Sequence, residues 1–303
     1  MGIRMENNML GRYENGNYTV TILKDGTKIR ETEEDCFIPS FSENTDCKLT
    51  DKCSVGCPFC YEGCTSSGKH SEIDFNSPWL NSLHPFTELA LNGNDLDHPQ
   101  LEELLVFTKG KSIITNLTVN EKQLIKGVEQ LKEWQKNNMV YGIGVSFSTG
   151  DFKTHQEAIL ATKGMDNVVF HTIAGVTTRG EYEMLSAIHA KVLILGYKEL
   201  GRGISYKEKN DVNNKIKELK RSLNRLIEKC FVVSFDNLAI EQLGVKELLS
   251  ESEWNEFYMG DDGQFTFYID MVKNEYAKNS LSTERFPIGN KTMDEMFNHI
   301  RML

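Results

Sequence analysis

Cys53-Ser54-Val55-Gly56-Cys57-Pro58-Phe59-Cys60 is the stretch from which the rest of the chain is best read. Its cysteines are spaced C-x3-C-x2-C, with an aromatic residue before the last. Cysteine thiolates are the usual ligands of iron–sulfur clusters. Three on one short loop can hold three irons of a cubane and leave the fourth iron open for chemistry. Zinc is the alternative, because Cys47, Cys53, Cys57, Cys60 and Cys64 could supply four thiolates. Structural zinc sites, however, pair two short knuckles across a longer spacer, and no second C-x2-C occurs here. Of seven cysteines, five lie between residues 47 and 64, which fits a reducing compartment better than a disulfide-stapled fold.

Working outward, residues 16–33 read as a β-hairpin around Asp25-Gly26, a favoured turn pair. From about residue 45 strands and helices alternate. Strands are expected at 47–50, 87–91, 112–119, 140–147, 167–174, 191–195 and 231–235. Between them, the apolar stripe Leu124, Ile125, Val128, Leu131 and Trp134 predicts a helix over 121–136, with Asn120 as N-cap and Gln123 three residues on. Further helices are expected at 154–162, 180–189 and around Ile216, Leu219, Leu223, Leu226 and Ile227. Strands alternating with helices imply a parallel sheet with right-handed crossovers. The tail reads as a helix at 238–249, a hairpin around 260–263, a strand at 264–269 and a helix through 271–278.

The cysteine run resembles the signature of the radical S-adenosylmethionine superfamily, and the resemblance covers about residues 45–200. It implies an α/β fold: a partial (β/α)6 TIM-like barrel, here with an N-terminal hairpin appendage (1–44), the barrel itself (45–235) and a C-terminal α+β capping extension (236–303). It also implies a 4Fe–4S cluster on Cys53, Cys57 and Cys60, with S-adenosylmethionine on the open iron, reductively cleaved to a 5′-deoxyadenosyl radical. Phe59 would pack beside cluster and adenine.

The same resemblance marks further cofactor contacts at the strand ends, where barrel enzymes keep their chemistry. Asn92-Gly93-Asn94-Asp95, about 30 residues after the cysteines, resembles a Gly-Gly-Glu-Pro segment. Only Gly93 is retained, and Asn94 or Asp95 would hold the methionine ammonium. Ser146 and Ser148 share one face of the fourth strand and would meet the ribose or the methionine carboxylate. In His171-Thr172-Ile173-Ala174-Gly175, the positions Ile173 and Gly175 match a segment that lies near the adenine. His171 is a candidate catalytic group, weighed against a hydrogen-bonded core histidine. Gly196 follows the sixth strand. Beyond it Lys198 and Arg202 could hold a substrate carboxylate or phosphate, in a glycine-rich stretch where no helix clearly begins. Cys64 is a candidate reactive thiol, weighed against a buried spectator.

Composition sets the remaining bounds. The chain has 303 residues, 39% hydrophobic and 26% charged, enough for one large α/β domain. No apolar run approaches membrane-span length and no signal-peptide core opens the chain, so a cytoplasmic protein is expected. A net charge of −10 argues against an extended nucleic-acid substrate. The basic run Lys207, Lys209, Lys215, Lys217, Lys220, Arg221 and Arg225 is the exception, and reads first as a solvated helix face. The expected partners are a small-molecule or peptide substrate and an electron donor such as flavodoxin or ferredoxin. Two other readings stand beside this one: an activase for a glycyl-radical enzyme, and a non-catalytic iron–sulfur or zinc binding protein.

Overall fold

The computed structural model describes residues 8–92, 95–147 and 151–303, and the side chain of Asp95 also lies outside the description. Seven strands run parallel and lie side by side in chain order: β4 (Asn44–Lys48), β5 (Glu88–Asn92), β6 (Ile114–Asn120), β7 (Gly142–Ser146), β8 (Val168–Ile173), β9 (Lys191–Leu195) and β10 (Val232–Phe235). This is the α/β alternation expected from the sequence. No described helix is long and apolar enough to cross a membrane.

Each strand buries one face against helices and turns the other inward. On β8, Phe170 and Thr172 are buried, while Val169, His171 and Ile173 line an internal cavity. On β9, Val192 and Ile194 are buried, while Leu193 and Leu195 line the same cavity. The period of two along a strand produces this division. The outer helices are specified locally. Helix Glu121–Lys136 starts at a capping box in which Asn120 accepts from the Gln123 backbone N–H at 3.0 Å, and it buries Leu124, Leu131 and Trp134. Helix Arg179–Ala187 carries the same device, Thr178 with Glu181. Helix Val212–Lys229 buries Val212, Leu219, Leu223 and Leu226 at helical spacing.

Four expectations are corrected. The N-terminal unit is a three-stranded antiparallel sheet, because β1 (Met9–Asn15) pairs with the hairpin strands β2 (Tyr18–Leu23) and β3 (Lys28–Glu31). In the tail no strand precedes the turn at 260–263, so there is no hairpin. That turn joins helix Glu251–Phe257 to β11 (Thr266–Asp270). Residues 271–278 are not a helix: Asn274 takes a positive φ of 59°, the chain reverses, and β12 (Glu275–Ala277) pairs antiparallel with β11. Asparagine tolerates that conformation better than most residues, and partner strands outside the local sequence decide the outcome. Finally, a helix does begin in the glycine-rich stretch, spanning Arg202–Lys209.

β11 also joins the main sheet. It lies parallel to β4, on the side away from β5, with Tyr268 opposite Asp46. Its outer residues Phe267 and Ile269 are buried in the core that also takes Met296, Phe297 and Ile300 of helix Met293–Arg301. The N-terminal sheet docks under the opposite end of the strands. Asn167 donates to the Lys24 carbonyl at 2.6 Å, Lys191 donates to the Asp25 carbonyl at 2.9 Å, and Lys28 meets Glu88 at 2.6 Å. The turn between β2 and β3 thereby lines the cavity at the N-terminal ends of the strands.

Candidate functional site

The cavity on the inner face of the sheet has a volume of about 700 Å3. Its wall is tight where side chains are large and roomy where they are small. Ala90, Gly142 and Gly144 line it together with Asp46, Tyr268 and Leu193. At Gly144 the lack of a side chain is required, since a Cβ there would lie 2.6 Å from Nε2 of His171.

At the C-terminal ends of the strands the cavity meets the cysteine loop. Phe59 and Tyr61 line it beside Ile173, Gly196, Tyr197 and Lys198. Phe59 packs with Ile173, Val176, Tyr197 and Val212, and its ring is edge-on to Tyr206 at 5.7 Å. The loop is bound by the segment after β9. The Arg202 backbone N–H donates to the Cys60 carbonyl at 3.0 Å. Its guanidinium donates to the carbonyls of Cys57 and Cys64, both at 2.9 Å. Gly201, at φ 52°, allows the approach, because a Cβ would lie 2.9 Å from the Cys60 carbonyl oxygen. The expectation that Arg202 holds a substrate anion is therefore corrected: its fork is occupied by main-chain carbonyls.

The thiols feel one another. Burial pushes the Cys57 thiol up, and the nearby Cys60 and Cys53 push it further. A hydrogen bond from the Cys64 thiol holds Cys60 down to about 6, and the same bond pushes Cys64 up. Among the described residues no group of three or more Cys, His, Asp or Glu is gathered to hold a single metal ion. A cubane presents a separate iron to each thiolate, so its cysteines ring a cluster rather than converge on one point. Soft thiolate donors on one mutually interacting loop, with a guanidinium nearby to offset their charge, fit that group. Beneath the loop Lys48 meets Asp51 at 2.5 Å and Glu62 at 2.6 Å, which raises its pKa despite burial.

The cavity holds polar groups that the sequence did not single out. Asp46 projects into it, and burial within the protein raises its pKa while Lys198 works the other way. Asp236 caps helix Asn237–Leu243 and accepts from the Gly196 N–H at 2.8 Å. Lys198 donates to Ser280 at 2.9 Å and stands 4.1 Å over the Tyr61 ring. Only the alternation of Thr45, Asp46 and Cys47 along a short strand could have flagged Asp46. The imidazole of His171 faces the cavity with no hydrogen-bond partner among the described residues, and burial lowers its pKa to about 4. It is thus a neutral imidazole.

The other sequence candidates fall as follows. Ser146 lies on the Gly144 face of β7, opposite His171 on β8. Gly175, at φ 80°, lies against Val212, whose Cγ1 would be 2.6 Å from a Cβ. Gly93, Asn94, Ser148 and the Asp95 side chain lie outside the described residues. Cys64 stands beside Cys60.

No protein-family model and no curated protein matches the chain. Solved structures do. The chain is similar to Streptococcus suis SuiB bound to S-adenosylmethionine, with TM-score 0.66 and 12% identity, covering 97% of this chain and 89% of that one. It is similar to SuiB bound to the precursor peptide SuiA, with TM-score 0.57 and 13% identity, covering 88% and 68%. SuiB alone gives TM-score 0.60 and 11% identity, covering 98% and 90%. At these identities the likeness establishes a shared fold.

Proposed function

We propose that this chain is a radical S-adenosylmethionine enzyme acting on a side chain of a peptide substrate, with a small molecule as the alternative substrate. The observation that carries the reading is the meeting of the three-cysteine loop, Phe59, Ile173 and Gly196 at the C-terminal end of one parallel-strand cavity. The similarity in fold to SuiB bound to S-adenosylmethionine, and to SuiB bound to a precursor peptide, supports both the cofactor and the substrate class.

Cys53, Cys57 and Cys60 would hold a 4Fe–4S cluster. The bound cluster and S-adenosylmethionine supply a 5′-deoxyadenosyl radical. The chain's own residues set where that radical can act. Arg202 fixes the loop against the strand ends. Phe59 and Ile173 offer an apolar wall for the adenine beside Gly196. Gly93 with Asn94 or Asp95 would hold the methionine ammonium, and Ser146 would meet the carboxylate or ribose. The cavity below takes the substrate side chain and keeps water from the radical. There His171 presents a neutral imidazole and Asp46 a carboxyl group to the substrate. The proposed barrel core is residues 45–235, and β11 of the tail (236–303) joins its sheet beside β4.

Anaerobic reconstitution with iron and sulfide tests the reading. A brown protein that releases 5′-deoxyadenosine on addition of dithionite and S-adenosylmethionine is expected. A colourless protein holding one zinc would overturn it.

A further inference from the structure

The main sheet ends at β10, and this edge differs from the others in the molecule. Sheet edges are usually protected from stray pairing by charge, by proline or by shortness. The opposite edge, β13 (Phe286–Pro287), is two residues long and carries a proline. The edges of the N-terminal sheet carry charge: Arg12 and Glu14 on β1, and Lys28, Arg30 and Glu31 on β3. At β10 the run Phe231-Val232-Val233-Ser234-Phe235 holds neither a charge nor a proline. Phe231 is 65% and Val232 46% exposed, and Ser234 is exposed with them.

Main chain is available along this edge. The Asp236 N–H donates to the Ile194 carbonyl of β9 at 3.2 Å. Successive residues of a parallel strand turn their N–H and carbonyl groups to opposite sides. Ser234 therefore faces β9 as well, while Val233 and Phe235 turn theirs away from it. Among the described residues no backbone group pairs with that outer side of β10. The turn at 260–263 is held beyond the strand, where Asn237 donates to the Gly260 carbonyl at 3.3 Å and to Asp262 at 2.7 Å.

The edge is also continuous with the cavity, because Phe231, Val232, Ser234 and Asp236 all line it. A strand added beside β10 would extend the cavity wall. Side chains alternate along a strand, so every second one of the added strand would point into the cavity.

We infer, resting on the peptide-modifying reading of the chain, that the peptide substrate binds in extended form by pairing its main chain with Val233 and Phe235 at the β10 edge. Such pairing supplies affinity through the backbone, and the space that receives alternate side chains supplies selection. The peptide is thereby held along the cavity wall with the side chain to be modified turned inward.

The probe is a fluorescein-labelled octapeptide of alternating threonine and valine with a lysine at each end, added to the full chain without reconstituted cluster. Fluorescence anisotropy should show binding. Val233→Pro should weaken it about tenfold, the worth of one main-chain hydrogen bond. Proline is tolerated on an edge strand where the lost N–H faced outward, so far-UV circular dichroism should stay the same. The probe with every amide N-methylated should not bind. In the wild type, the probe should slow hydrogen exchange at Val233 and Phe235 and not along β3, a result that stands even if the proline variant does not fold. No binding of the probe, equal binding of its methylated form, unchanged binding by a folded proline variant, or protection elsewhere without protection at β10 overturns the assignment. So does a wild-type dimer, read by light scattering, that Val233→Pro converts to monomer, since the edge then pairs with a second copy of the chain. If the reconstituted wild type releases no 5′-deoxyadenosine with dithionite, the proposed function fails instead, and binding to the cluster-free protein still reads the edge by itself.

Discussion

The imidazole of His155 lies 2.5 Å from the carboxylate of Glu121, with Glu181 at 2.9 Å on its other nitrogen, and all three are buried. Each comes from the first turn or so of a different helix, following β6, β7 and β8. The cluster therefore ties together three strand–helix junctions. Burial opposes the charge on His155, but hydrogen bonds to the two carboxylates outweigh it and raise its pKa to about 9.

This pair makes stability depend on pH. The folded value of about 9 lies above the unfolded 6.5, so the folded state holds the proton more tightly. The stabilisation is fully present below pH 6.5 and is lost as pH rises through about 9. Thermal unfolding of the wild type should move to lower temperature across that window. His155→Ala should cost about 3 kcal/mol at pH 6 by leaving two carboxylates buried without their cation, and should flatten the dependence. An unchanged alkaline profile in the variant would count against this account.

Arg202 should control loading of the cysteine loop. Arg202→Lys cannot span the carbonyls of Cys57 and Cys64 together, because the planar fork is lost. Iron and sulfide bound after reconstitution should fall well below the wild type, while far-UV circular dichroism stays the same. Full loading of the lysine variant would show that the fork is dispensable.

Gly144→Ala should injure both stability and the cavity. The new methyl meets the His171 ring, and overpacking of this kind costs about 1–3 kcal/mol. Chemical denaturation should show the loss. A double variant with His171→Ala should recover much of it, since the clash is then gone.

His171 and Asp46 should separate radical formation from its use. Both line the cavity, and neither is in the cysteine loop. His171→Phe and Asp46→Asn should leave dithionite-driven 5′-deoxyadenosine release within about twofold of wild type, while abolishing substrate modification, read by mass spectrometry. Because burial lowers His171 to about 4, the wild-type rate should show no histidine inflection between pH 5.5 and 7.5.

Much of the outer architecture was legible from residues alone. The helix at Glu121–Lys136 and the strand at Lys191–Leu195 follow from apolar spacing, and the Asn120 capping box from four adjacent residues. Other elements were misread for a common reason. Residues 271–278 look helical locally, but Tyr276 and Ala277 gain partners on β11. The glycines before Arg202 look like loop, yet Gly201 is needed to bring the chain against the carbonyl of Cys60. In both cases the deciding contact is with a distant segment.

By itself the sequence determined the periodicities, the helix caps and the C-x3-C-x2-C loop, because each depends on residues within a few positions of one another. Only the tertiary structure decided that β11 lies beside β4, that the β2–β3 turn lines the base of the cavity, and that Asp46, His171 and Lys198 line one space. Strand order and side-chain convergence depend on burial between segments up to hundreds of residues apart, and no local pattern encodes which segments those will be.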